Sequence, residues 1–309
     1  MGVEAADQLV HLRLAAEVAG LDLPEIVLPS DHHVLLGAMR LHYLDWGGSG
    51  APVVFLHGGG LTAHTWDLVC LALRDGHRCL ALDQRGHGDS EWSPELDYGM
   101  DAHVRDLEAF IEELGLRRPL LVGQSMGGMN ALAYAARHSG ELAGVVVVDA
   151  GPDVRERGTQ RILDFVLGPG ELDSVDDFVQ RALAFNPSRD ERLLRRSLLH
   201  NLRRLPDGRW TWKYDRRWMS PEGFERLKST LTSLRDKLPS IGCPVLVVRG
   251  ARSDVFLDED AASLAAALPT ADWVRIEDAG HTVQGDNPRG LAVALRGFLA
   301  SVAVGGRVG

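Results

Sequence analysis

Between about residues 39 and 150, short and almost wholly apolar runs alternate with segments whose apolar positions fall at helical spacing. Residues 39–46, 52–56, 78–82, 120–122 and 145–148 read as strands. Residues 101–114 place Val104, Leu107, Ile111 and Leu114 on one helical face and end at Gly115, a natural left-handed stop. Strands that are apolar throughout and separated by helices predict a parallel sheet covered on both sides. From residue 151 to about 240 the strand pattern vanishes and Arg, Leu and Trp recur at helical spacing. The alternation then resumes with a strand at 245–248, a helix at 258–268, a strand at 273–276 and a helix at 289–302. The expected fold is α/β: one core built from residues 31–150 and 241–309, interrupted by a helical insertion over 151–240. Residues 1–30 form an N-terminal extension, in which Leu9, Leu12 and Ala16 make the stripe of a short packing helix.

Composition narrows the partners. A chain of 309 residues, 45% hydrophobic and 25% charged, can bury a substantial core. Its formal net charge of -10 argues against a nucleic-acid backbone or an anionic membrane as the main partner, since both repel a chain of this sign. Cys70, Cys79 and Cys243 are too few and too scattered for a disulfide framework, and no CxxC pair suggests a metal. Glu4 and Asp7 precede any basic residue, unlike a secretory leader, and no long apolar run offers a membrane span. The expectation is a cytoplasmic monomer or homodimer acting on a small molecule, with neither metal nor cofactor.

Chemistry is concentrated in LVGQSMGG, residues 121–128, where Ser125 stands between Gly123 and Gly127 directly after an apolar run. A strand that turns at once into a helix passes through a strained bend, and flanking glycines remove the side chains that would collide there. The serine is then held out above the sheet, beside the free Met126 amide and the positive end of the helix dipole. A serine hydroxyl needs a base to take its proton and a third group to hold that base. VRIEDAGHTVQGDNP offers His281 just after a strand, and VLVVRGARSDVF offers Asp254 after the preceding one. Asp149, which ends the strand VVVVD and could reach the same histidine from one strand earlier, is the rival acid; Asp254 is preferred, with Asp149 read as a structural acceptor for backbone amides. In PVVFLHGGG, the amide of Gly59, or alternatively Gly60, would join that of Met126 as an oxyanion donor. His57, at the end of the same strand, reads as a brace for the turn.

These marks resemble the α/β-hydrolase superfamily over residues 34–303: HGGG at 57–60, DQRGHGDS at 83–90, GQSMGG at 123–128, the Asp254 loop and AGH at 279–281. The resemblance implies an eight-stranded, mostly parallel sheet with a helical cap inserted after the sixth strand, and gives Asp83 and Arg85 a loop-shaping role. Serine at the apex resembles the esterase, lactonase and carbon–carbon hydrolase branches. Epoxide hydrolases and haloalkane dehalogenases place aspartate there, so their chemistry does not transfer. A serine hydrolase cleaving a small ester or lactone is therefore expected, with carbon–carbon cleavage beside a ketone as the alternative and a hydrolase-like ligand receptor behind it. A dinucleotide-binding reading of Gly58, Gly60, Ala63 and Asp83 leaves Ser125 and His281 unexplained.

Residues 189–217 hold ten Lys or Arg against four Asp or Glu, in a chain of opposite overall charge. Within WTWKYDRRW, Trp210, Trp212 and Tyr214 lie on alternate positions, followed by Arg216 and Arg217. The plainer account is a solvated basic face with aromatic anchors. The sharper one is an aromatic-walled pocket with a guanidinium at its mouth.

Overall fold

The computed structural model describes residues 3–153, 165, 167–187, 189–218 and 230–305. An eight-stranded sheet runs through its centre. Strands β1 (Ser30–Leu36), β2 (Met39–Asp45), β3 (Pro52–Leu56), β4 (Arg78–Leu82), β5 (Leu120–Gln124), β6 (Gly144–Val148), β10 (Val245–Gly250) and β11 (Ala271–Ile276) lie in the order β1-β2-β4-β3-β5-β6-β10-β11. The β1–β2 and β2–β4 pairs are antiparallel and all the others parallel. β1 joins β2 through Gly37, which has φ +62°. Its four exposed leading residues hide it from a search for apolar runs.

The pleat sorts each strand's apolar residues between two layers. Val54, Leu56, Leu121, Val145, Val147 and Val247 face one side. There they meet α3 (Met100–Glu113), α4 (Met126–His138) and α7 (Asp258–Ala266). Val53, Phe55, Val122, Val146, Val148 and Val248 face the other. These pack on α1 (Val3–Val18), α2 (Asp67–Leu73) and α8 (Pro288–Gly305). Each fully buried Val, Leu or Phe contributes about 1.5–3 kcal/mol, so burial on both faces explains why the central strands carry no polar alternation. The expected N-terminal stripe is buried at Leu12 and Ala16.

The described residues between β6 and β10 stand outside this sheet. They hold α5 (Val175–Phe185) and α6 (Glu191–Asn201), and also a small antiparallel sheet of β7 (Glu171–Leu172), β9 (Trp210–Trp212) and β8 (Leu202–Arg204). The expectation that strands vanish here is corrected. Two- and three-residue strands are too short to show a period. This insertion has its own apolar cluster of Phe178, Val179, Leu194, Leu198, Trp212 and Tyr214. It is tied to loops at the carboxyl ends of the sheet: Thr62 donates to Asn201 at 3.0 Å, Lys213 to Asp89 at 2.7 Å and Tyr98 to Asp215 at 2.6 Å. Among the described residues no helix is long and apolar enough to cross a membrane.

Candidate active site

Ser125 sits between β5 and α4 with φ 51° and ψ -118°, a left-handed conformation that costs a non-glycine residue energy. The two glycines that frame it are sterically required. A Cβ on Gly123 would stand 2.2 Å from the Gly127 carbonyl oxygen, and one on Gly127 would stand 2.3 Å from the Leu56 carbonyl oxygen. Close approach of α4 to the end of β3 brings the Met126 amide beside the HGGG turn. As the first residue of a helix, Met126 has no intrahelical acceptor for its N–H.

That turn is held by His57. Its Nε2 accepts the Gln84 amide at 3.0 Å, so its Nδ1 carries the proton and donates to the Gly58 carbonyl at 2.8 Å. Complete burial pushes this imidazole below its usual range and keeps it neutral, as both bonds require. Gly59 is exposed, and nothing lies within 4 Å of a Cβ built on it. Gly60, with φ +76°, faces the Tyr214 ring, whose Cε1 would be 3.4 Å from such a Cβ.

His281 lies in the turn after β11, and its Nδ1 donates to Asp149 Oδ2 at 2.8 Å. The carboxylate that holds this ring is Asp149, and the expectation of Asp254 is corrected. Asp149 ends β6 with φ 50° and is completely buried. That turn swings its carboxylate across to the end of β10, where Oδ1 accepts the Gly250 amide at 2.9 Å and Oδ2 the Ser253 hydroxyl at 2.6 Å. Asp254 is exposed. With Nδ1 donating, the lone pair of His281 lies on Nε2. Gln124 Nε2 stands 3.2 Å from that nitrogen and 3.1 Å from the His281 carbonyl oxygen, to which it donates.

The aromatic and basic candidates of the insertion are mostly bound to their own neighbourhood. Trp212 and Tyr214 are buried in its apolar cluster and Trp210 packs against it. Arg217 forks onto Asp215 at 2.8 and 2.6 Å, and Arg216 donates to the Gly168 carbonyl at 2.7 Å. Tyr214 reaches the HGGG turn at Gly60. Asp83 is buried and accepts from the Ala63 amide, the Asp89 amide and His42 Nδ1 at 2.6–2.9 Å, which leaves no room for a ribose hydroxyl. Arg85 forks onto Asp106 at 2.6 and 2.7 Å.

Among the described residues, two groups of side chains have ligand atoms close enough for a cation: His64–Asp67–His200 and His42–Asp83–Asp89. In the first, Arg196 is paired with the Asp67 carboxylate. The two rings stack with centroids 3.7 Å apart. In the second, the Asp83 oxygens already accept three donors.

Sequence reading missed Gln124 and Ser253. Gln124 fills the unspecified place in G-x-S-x-G, and its one signal is a polar residue closing an apolar strand. Ser253 sits one position before the residue that drew attention.

Comparison with known proteins bears on the fold and the class of enzyme. Residues 51–288 match the α/β hydrolase fold family. The esterase Rv0045c of Mycobacterium tuberculosis is 35% identical over 303 residues, covering 95% of this chain and 96% of its own. A crystal structure of that esterase, described together with its inhibition by transition metals, superposes with a TM-score of 0.77 at 33% identity, over 97% of this chain and 100% of its own. N-formylmaleamate deformylase of Pseudomonas putida is 29% identical, over 86% of this chain and 95% of its own. With the family pattern spanning most of the core and one relative matched almost end to end, the chain belongs to the α/β-hydrolase family and is an enzyme of the esterase type.

Proposed function

We propose that the chain hydrolyses a small carboxylic ester or lactone through an acyl-enzyme on Ser125. The observation that carries this reading is the His281–Asp149 bond of 2.8 Å, made by a completely buried carboxylate at the sheet end that also holds the strained Ser125. Asp149 fixes the imidazole with its proton on Nδ1, leaving Nε2 to accept. His281 Nε2 takes the Ser125 proton as Oγ bonds to the carbonyl carbon. The amides of Met126 and Gly59 receive the oxyanion that forms. Collapse breaks the carbon–oxygen bond of the ester, and the imidazolium gives its proton to the departing oxygen. Water then repeats the sequence on the acyl-enzyme, releasing the acid and restoring the serine.

The Tyr214 ring over Gly60 closes one side of the approach and suits a compact, apolar acyl group. The esterase relative supports an ester over a carbon–carbon bond. A fluorophosphonate probe should label Ser125 in the wild type, and Ser125→Ala should resist labelling and lose turnover of p-nitrophenyl esters by about 10⁶-fold, the scale of nucleophile loss in an analogous site. Retention of most activity by Ser125→Ala would falsify the reading.

A further inference from the structure

Gln124 closes β5 immediately ahead of Ser125 and is 1% exposed. Its amide orientation is determined by its surroundings. The nitrogen faces two acceptors of one residue, the His281 carbonyl oxygen and His281 Nε2, and an oxygen in that place would oppose both lone pairs. Oε1 then points toward Gly58 and has no hydrogen-bond partner among the described residues, which costs a buried amide free energy. The fit depends on Gly58: a Cβ there would stand 2.1 Å from Oε1.

Resting on the reading of His281 as the base, the geometry points to Gln124 as a positioning residue that holds the imidazole at rest by donating to its Nε2 lone pair, while the buried Asp149 carboxylate holds Nδ1 on the other side. Its N–H group engages the lone pair that must accept the Ser125 proton. Ser125 makes no hydrogen bond to His281 in this state, so each turnover begins with Nε2 passing from Gln124 to the serine hydroxyl. Once the ring is protonated, Nε2–H meets the N–H of Gln124 and is repelled. That repulsion drives the imidazolium toward the departing oxygen, where its proton is needed.

The test is the acid limb of kcat/KM, which reports protonation of the free enzyme's base. Gln124→Met removes the donor and keeps the length. It should move the acid limb upward by about half a pH unit to one unit, the equivalent of one hydrogen bond lost from the neutral ring. Gln124→Glu sets a carboxylate beside the ring and should move the limb further in the same direction. Both are compared after circular dichroism shows a native fold, and the near-isosteric glutamate carries the test should the methionine variant not fold. A purely structural role would lower kcat and leave the limb in place. Acid limbs coincident with wild type in the folded variants overturn the role of Gln124. Full activity of His281→Ala would instead overturn the base assignment itself, so the two failures are separable.

Discussion

Ser253 and His281 share one oxygen of a buried carboxylate: Asp149 Oδ2 accepts the serine hydroxyl at 2.6 Å and the imidazole Nδ1 at 2.8 Å. Asp149→Asn should therefore fold and lose about 10⁴-fold in turnover, as amide replacements of the orienting acid do in comparable sites. Asp254→Asn should stay within a few-fold of wild type. Ser253→Ala removes one donor from a buried charge and should lower stability by about 1.5–3 kcal/mol. Ester hydrolysis with urea unfolding tests all three, and a larger kinetic loss in Asp254→Asn than in Asp149→Asn would return the role to Asp254.

Glycines around Ser125 divide into those the backbone needs and those the substrate needs. Gly127→Ala drives a Cβ against the Leu56 carbonyl and should unfold or severely destabilise the chain. Gly59→Ala meets nothing within 4 Å, so the protein should fold normally while a methyl group obstructs the oxyanion position and lowers kcat. Equal melting temperatures for the two variants would contradict this division.

Histidines should shape stability against pH in two opposite ways. Burial lowers His57, His87 and His103, His87 to about 3, so each is neutral when folded and takes up a proton on unfolding below the ordinary 6.5. Their contribution is complete above about pH 6.5 and is lost as pH falls from there toward the folded values. For His42, burial works downward, yet the hydrogen bonds it donates to Asp31 and Asp83 raise it to about 9. Its contribution is complete below 6.5 and is lost as pH rises through about 9. Melting temperature should peak near neutrality, and His42→Gln should lessen the alkaline decline, to which the raised His138 also contributes, and keep the acid one. An unchanged alkaline limb in that variant would rule out His42 as its source.

Arg217 is taken up by Asp215, which also accepts the Tyr98 hydroxyl at 2.6 Å. Arg217→Ala should therefore change kcat/KM equally for a neutral ester and its carboxylate-bearing analogue. Tyr98→Phe breaks one bond between core and insertion and should raise KM for both. Selective loss on the charged substrate in Arg217→Ala would revive a guanidinium at the pocket mouth.

What the sequence by itself determined lies in local pattern. Wholly apolar strands such as 145–148 announce a sheet buried on both faces. Gly123 and Gly127 announce a bend that only they permit, and the order HGGG, GQSMGG and AGH identifies the family before any coordinate. β1 escaped because an edge strand with exposed residues lacks the apolar signal, and β7, β8 and β9 escaped because strands this short have no period. Tertiary structure alone decided which acid meets His281. Asp149 and Asp254 both follow strands, and adjacent strands of a parallel sheet deliver their loops to the same end. The left-handed turn at Asp149 chooses between them, and it is not visible in composition or spacing. The partner of Gln124 was equally hidden, since it lies 157 residues away in sequence and 3.2 Å away in space.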